Sequence, residues 1–146
     1  MQQTTDGGYI VAGRTKSFGA GDSDLWLIKT DASGSQVWAK TFGGSSTDWA
    51  SSIQQTIDGG YIMAGSTESF GAGDYDIWLI KTDASGSQVW ARTFGGSDRD
   101  HAFSVRQTTD EGYIVAGNTE SFGADDVWLI KTNASGNQVW TQVFGG

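Results

Sequence analysis

Apolar and polar positions run along this chain in short bursts, each closed by a turn rich in glycine. In the central stretch, Trp49 to Thr56 mixes small, polar and apolar residues over the length of one strand. Asp58-Gly59-Gly60 follows as a tight turn, with glycines free to take positive φ. Tyr61 to Thr67 is aromatic, β-branched and apolar, and predicts a second strand. Ser69 to Asp76 reads as a glycine-rich loop. Ile77 to Thr82 predicts a third strand, Asp83 to Ser87 a second tight turn, and Gln88 to Phe94 a fourth strand closed by Gly95-Gly96. No segment carries the 3.6-residue period of an amphipathic helix. The pattern predicts an all-β chain of four-stranded antiparallel meanders.

The same unit is written three times. Gln2–Ile53 and Gln54–Val105 agree at about three positions in four without a gap. The third copy starts at Arg106, is two residues shorter, and reaches Gly146. The chain is thus a single segment, 1–146, with repeats over 2–53, 54–105 and 106–146. Such close copies point to tandem duplication, either recent or deliberately designed. A unit this small buries too little surface to stand alone, so it must pack on neighbours like itself. The second and third strands are apolar on both faces, whereas a sandwich strand would alternate. Burial on both faces calls for a sheet on either side. Radial stacking about an axis supplies this, so the expected fold is a β-propeller with three four-stranded blades per chain.

Propellers have four to eight blades as a rule. A head-to-tail homodimer would close a six-bladed ring, while a trimer would need nine blades, above the usual range. The expected partner is therefore a second copy. The first repeat keeps only Gln2 to Thr5 of its first strand, so the subunit seam is expected to be the weakest part of the ring.

Charge and composition narrow the function classes. The net charge of −8 repels phosphate backbones, and the nine Lys and Arg are dispersed rather than clustered. Nucleic acid and anionic membranes are therefore not expected partners. The chain has no cysteine and one histidine, which removes disulfides, thiolate zinc sites and cysteine nucleophiles. No nucleophile elbow accompanies His101, and no phosphate-cradling loop or dinucleotide fingerprint is present. No cofactor is expected, and catalysis is not. Each Gly-Asp-Xaa-Asp loop offers two carboxylates, whereas calcium takes six to eight oxygens, so capping of turn amides is the commoner role for them. No metal site is assigned.

A meander sorts its loops. Those between the second and third strands share a rim with the links between blades, and the tight turns lie on the opposite rim. The copies differ most on the first rim, which gathers acids and aromatics. Asp48, Trp49, Tyr75, Asp100 and His101 are the candidate ligand-binding residues, close to the axis. Trp49 is singled out because its counterpart is His101, so the position fills no fixed core slot. By contrast, Trp26, Trp78 and Trp128 recur in register, as do Trp38, Trp90 and Trp140, and these are expected to pack blade on blade. The leading expectation is a non-enzymatic binding or scaffold module that assembles from incomplete rings. One alternative is a carbohydrate-binding lectin in which Trp49 and Tyr75 stack on sugar rings. A more remote one is a glycan-acting enzyme, for which Asp48 and Asp100 would be the carboxylate pair. Asn133-Ala134-Ser135 is a formal glycosylation sequon, but its counterparts Asp31 and Asp83 make it read as a turn.

The pattern Asp58-Gly59-Gly60-Tyr61-Ile62, Trp78 and Val89-Trp90 resembles kelch-type propeller repeats, whose period is also near 50 residues. More closely, the runs Gly-Gly-Tyr-Ile-Val-Ala-Gly, Ser-Phe-Gly-Ala-Gly-Asp and Trp-Leu-Ile-Lys-Thr-Asp are similar to repeats found in arrays in bacterial and archaeal surface and secreted proteins. The resemblance spans nearly the whole chain. It implies blade architecture and an extracellular or cell-surface setting, and it leaves the ligand open, because propellers host many functions.

Overall fold

A computed structural model describes all residues, Met1–Gly146. Twelve strands form three separate sheets, each a meander of consecutive strands. Blade 1 holds β1 (Gln2–Gln3), β2 (Tyr9–Thr15), β3 (Asp24–Thr30) and β4 (Gln36–Phe42). Blade 2 holds β5 (Asp48–Gln55), β6 (Tyr61–Thr67), β7 (Asp76–Thr82) and β8 (Gln88–Phe94). Blade 3 holds β9 (Asp100–Gln107), β10 (Tyr113–Thr119), β11 (Asp126–Thr132) and β12 (Gln138–Phe144). The fold is all-β, three blades of a propeller. The first strands touch in succession, β1 to β5 and β5 to β9, while the outer strands β4, β8 and β12 share no comparable contact. The sheets are therefore wedges converging on an axis, as the sequence predicts.

The tight turns show why the repeats fold alike. Asp58 Oδ1 accepts from the Gly60 amide at 3.0 Å and from the Thr56 hydroxyl, while Gly59 takes φ +83°. Lys81 on β7 lies almost wholly buried and ties this turn down. Its ammonium donates to Asp58 Oδ2 at 3.0 Å and to the Thr82 carbonyl at 2.7 Å. Lys29–Asp6 and Lys131–Asp110 repeat the clamp at 3.0 Å in the other blades. These bonds favour the ionised carboxylate and hold the pKa of Asp6 and Asp110 well below the ordinary 3.8. At Asp58, burial opposes the same bonds, and the net pKa is about 2. The second turn is closed by Asp83, which accepts from Ser85 and Ser87 amides at 2.9 and 3.0 Å. Asn133 makes the same two bonds in blade 3, so the sequon residue is a turn cap.

Two apolar seams hold the blades together. Ile10, Leu25 and Leu27 of blade 1 meet Tyr61, Met63, Trp78 and Ile80 of blade 2. Ile62, Ala64, Ile77 and Leu79 on the other side of blade 2 meet Tyr113, Val115, Trp128 and Ile130 of blade 3. Burial on both faces is complete in the middle blade, where every residue of β6 and β7 is buried. In β10 it alternates, because no sheet covers the far face of blade 3. Glutamines stitch the inner strands across the seams. Gln2 Oε1 accepts from the Gln55 amide at 2.6 Å, and Gln54 Oε1 accepts from the Gln107 amide at 2.7 Å.

Candidate functional site

The variable rim is built by pairing each long loop with the next blade. The Ser23 and Tyr75 carbonyls accept from the Asp48 and Asp100 amides at 2.8 and 2.7 Å, forming short parallel bridges. This pairing carries Tyr75 out of its own blade and sets it beside the first residues of β9. Trp49 is the second residue of β5, opposite Ser66, and His101 the second of β9, opposite Asn118. Three residues far apart in sequence thereby meet. Their ring centroids lie 5.2 Å apart for Trp49–Tyr75, 5.5 Å for Tyr75–His101 and 5.8 Å for Trp49–His101. The Trp49 and His101 planes are nearly stacked, at 28°. His101 Nδ1 sits 3.0 Å from the Ser66 hydroxyl, which fixes the ring and leaves Nε2 for another partner. All three side chains are half-buried.

Asp48 and Asp100 sit next to this cluster in sequence, but they are fully enclosed. Asp48 accepts from the Thr67 hydroxyl, from Ser69 Oγ at 2.6 Å and from the Gly44 amide at 3.0 Å. Asp100 repeats the set with Thr119, Ser121 Oγ at 2.6 Å and the Gly96 amide at 3.1 Å. Both carboxylates are therefore committed to holding the rim loops and turn no oxygen outward. Their expected role in direct ligand contact gives way to a scaffolding one. The physical reason is that burying a carboxylate is costly unless hydrogen bonds take up its lone pairs, and the donors that do so here hold both groups in place.

Two more acids lie behind them. Asp24 and Asp76 are buried to 1% exposure, and each uses Oδ2 on the amide of Ala20 or Ala72. Their Oδ1 atoms have no hydrogen-bond partner. A side chain on Gly95 would strike Asp76 Oδ1 and come within 2.7 Å of Asp100 Oδ2, so the two carboxylates crowd one glycine. Burial, and after it the Asp100 charge, raises the pKa of Asp76 above 3.8 against the pull of two loop amides.

Four of the six recurring tryptophans pack at the seams as expected, Trp78 and Trp128 in the clusters and Trp38 and Trp90 against them, whereas Trp26 is half-buried and Trp140 is 42% exposed. Phe70 covers Trp78 at 5.3 Å and Phe122 covers Trp128 at 5.2 Å, and both indoles are nearly buried. On the opposite rim, Gln2, Gln3, Gln54, Gln55, Gln107 and adjoining threonines line a polar cleft of about 600 Å³ at the axis. Sequence reading passed over this glutamine ring. The recurring Gln-Gln-Thr was its signal, although the oxygens of Gln2, Gln54, Gln55 and Gln107 are taken up in stitching blades.

No family profile and no curated protein sequence matches the chain. Among solved structures, the fold is similar to a protein of unknown function from Bacteroides caccae, with TM-score 0.57 and 13% identity over 92% of this chain. The match spans 41% of that protein's length. Likeness at this identity concerns the fold alone, and it joins the three antiparallel sheets in defining a β-blade repeat architecture.

Proposed function

We propose that the chain is a non-enzymatic binding module that takes its ligand on the Trp49–Tyr75–His101 cluster. The observation that carries this reading is the convergence itself. Positions that differ between the copies come from three separate segments into one aromatic stack near the axis. A rigid blade scaffold with variable rim loops is a common way to present such contacts. The committed state of Asp48 and Asp100 supports binding over catalysis, because neither carboxylate is presented to a substrate.

The chemistry of the cluster favours a carbohydrate. Flat faces of Trp and Tyr suit the apolar faces of sugar rings, and each aromatic carries a polar tip for a hydroxyl. A printed glycan array, read with the native protein and with Trp49→Ala and His101→Ala, tests this. The expected result is a defined glycan class bound by the native protein and lost at least tenfold with Trp49→Ala. Glycan binding that ignores both substitutions would move the site elsewhere, and no glycan binding would remove the lectin reading.

A further inference from the structure

The three-blade arc ends in two open sheet faces, and they are the two halves of a seam the chain already makes twice. At the first internal seam, Trp38 of β4 meets Tyr61 edge-on at 6.0 Å. A methyl placed on Gly86 would lie 2.6 Å from the same indole, so that glycine is the floor of its seat. At the second seam Trp90 meets Tyr113 at 5.8 Å, and Gly136 takes the place of Gly86. The third tryptophan of the series, Trp140, has no such seat and is 42% exposed. The first tyrosine and glycine of the series, Tyr9 and Gly34, have no tryptophan. Nothing lies within 4 Å of a methyl built on Gly34.

The apolar surroundings repeat in the same way. Val127 and Phe144 on the open face of blade 3 stand in register with Leu25 and Phe42, which the first seam covers, yet they are 52% and 53% exposed. Trp26 on the open face of blade 1 stands in register with Trp78, and it is only half-buried where Trp78 is 5% exposed.

We propose that the occupant of both faces is a second copy of this chain, docked head to tail. Trp140 of each copy seats on Tyr9 and Gly34 of the other, so that two copies close one ring of six blades. Continuity with the internal seams argues for this partner over any unrelated one, because side-chain sizes, register and the turn glycine already match. The wedge geometry argues for closure over a filament, since the blades turn about a common axis. The new seams are less well stitched than the internal ones. Arg106 stands where Gln2 and Gln54 accept an inner-strand amide. This proposal does not depend on what the aromatic cluster binds.

Light scattering on a sizing column, over a concentration series of the native chain, should give twice the chain mass as the limiting species. Tyr9→Glu and Trp140→Lys should each give monomers that retain the far-ultraviolet β signature, since both positions lie outside the internal seams. Mixed one to one, the two variants should regain the double mass. One new seam is then native, and the other sets the introduced ammonium against the introduced carboxylate. The exposed substitution Ile57→Thr should leave the mass unchanged. A native chain that stays monomeric, or whose mass climbs without limit, overturns the closed ring. A dimer that survives both single substitutions, or a mixture that stays monomeric, overturns the head-to-tail pairing.

Discussion

The two rims of this protein are made from the same repeats but answer to different constraints. On the turn rim, each blade repeats one device: an Asp-capped hairpin clamped by a lysine at 3.0 Å in all three copies, buried in blades 1 and 2 and partly buried in blade 3. On the loop rim, fixed and free positions sit side by side on one strand. Asp48 and Asp100 are the same residue in both copies, enclosed by the same Thr and Ser partners. Their immediate neighbours, Trp49 and His101, differ and join the aromatic cluster. Where a side chain closes a hydrogen-bond set, the copies agree. Where it only lies near the axis, they are free to diverge, and recognition chemistry has room to develop.

The sharpest way to break this contrast is to remove a fixed residue and its free neighbour in parallel. Asp48→Ala leaves two hydroxyls and an amide unpaired in a closed space and should cost about 3 kcal/mol. Trp49→Ala loses half-buried aromatic packing and should cost about 1 kcal/mol. Chemical denaturation of the two variants would check the order. Equal costs would mean the aromatic cluster is as structural as the carboxylate beneath it.

That contrast was only partly legible in the sequence. Strand positions in the second repeat emerge within about one residue, because each ends at a glycine turn and the apolar runs leave no helical reading. The Trp49–Tyr75–His101 meeting was visible as three variable positions near the axis. The enclosure of Asp48 and Asp100 was not, although a hint was present. Thr67, Ser69 and their counterparts Thr119 and Ser121 are unchanged between copies, as a closed hydrogen-bond set requires. Acidic residues on a loop rim look like ligand contacts until their partners, about twenty residues away, are placed beside them. The crowding of Asp76 on Asp100 likewise depends on side-chain depth, which no spacing rule supplies.

A second comparison separates an occupied seam from an open one. Gly86 and Gly34 hold the same positive φ, +82° and +85°. Alanine at either position incurs the backbone penalty of about 1 kcal/mol. At Gly86 the methyl also meets Trp38, so Gly86→Ala should cost about 2 kcal/mol in all. Gly34→Ala should cost the backbone share alone, measured as unfolding of the monomeric Trp140→Lys chain. In the native chain it should additionally weaken the proposed dimer, which a dilution series would reveal. Matching costs at the two glycines in the monomeric background would show that the Trp38 seat is looser than its geometry states.

The smallest effects come from acid titration, where the two rims pull in opposite directions. Asp58 on the turn rim has its folded pKa lowered to about 2 from 3.8. Its contribution is present above pH 3.8 and disappears as pH falls through about 2, and Asp6 and Asp110 act in the same sense. Asp76 behind the loop rim has its pKa raised, chiefly by burial. Its contribution is present below pH 3.8 and is lost as pH rises through the folded value, so at neutral pH its charge destabilises the fold. Asp76→Asn removes that charge. It keeps an oxygen for the Ala72 amide and offers an NH2 group where Oδ1 now lacks a partner, towards Asp100. The variant should melt about 2 °C above the native chain at about pH 7 and lose that advantage near pH 3. Asp58→Asn should do the reverse, lowering the melting temperature at neutral pH and converging on the native value in acid. If Asp76→Asn is destabilising at neutral pH, the carboxylate pair is not a source of strain, and both Asp76 oxygens must be bonded in solution.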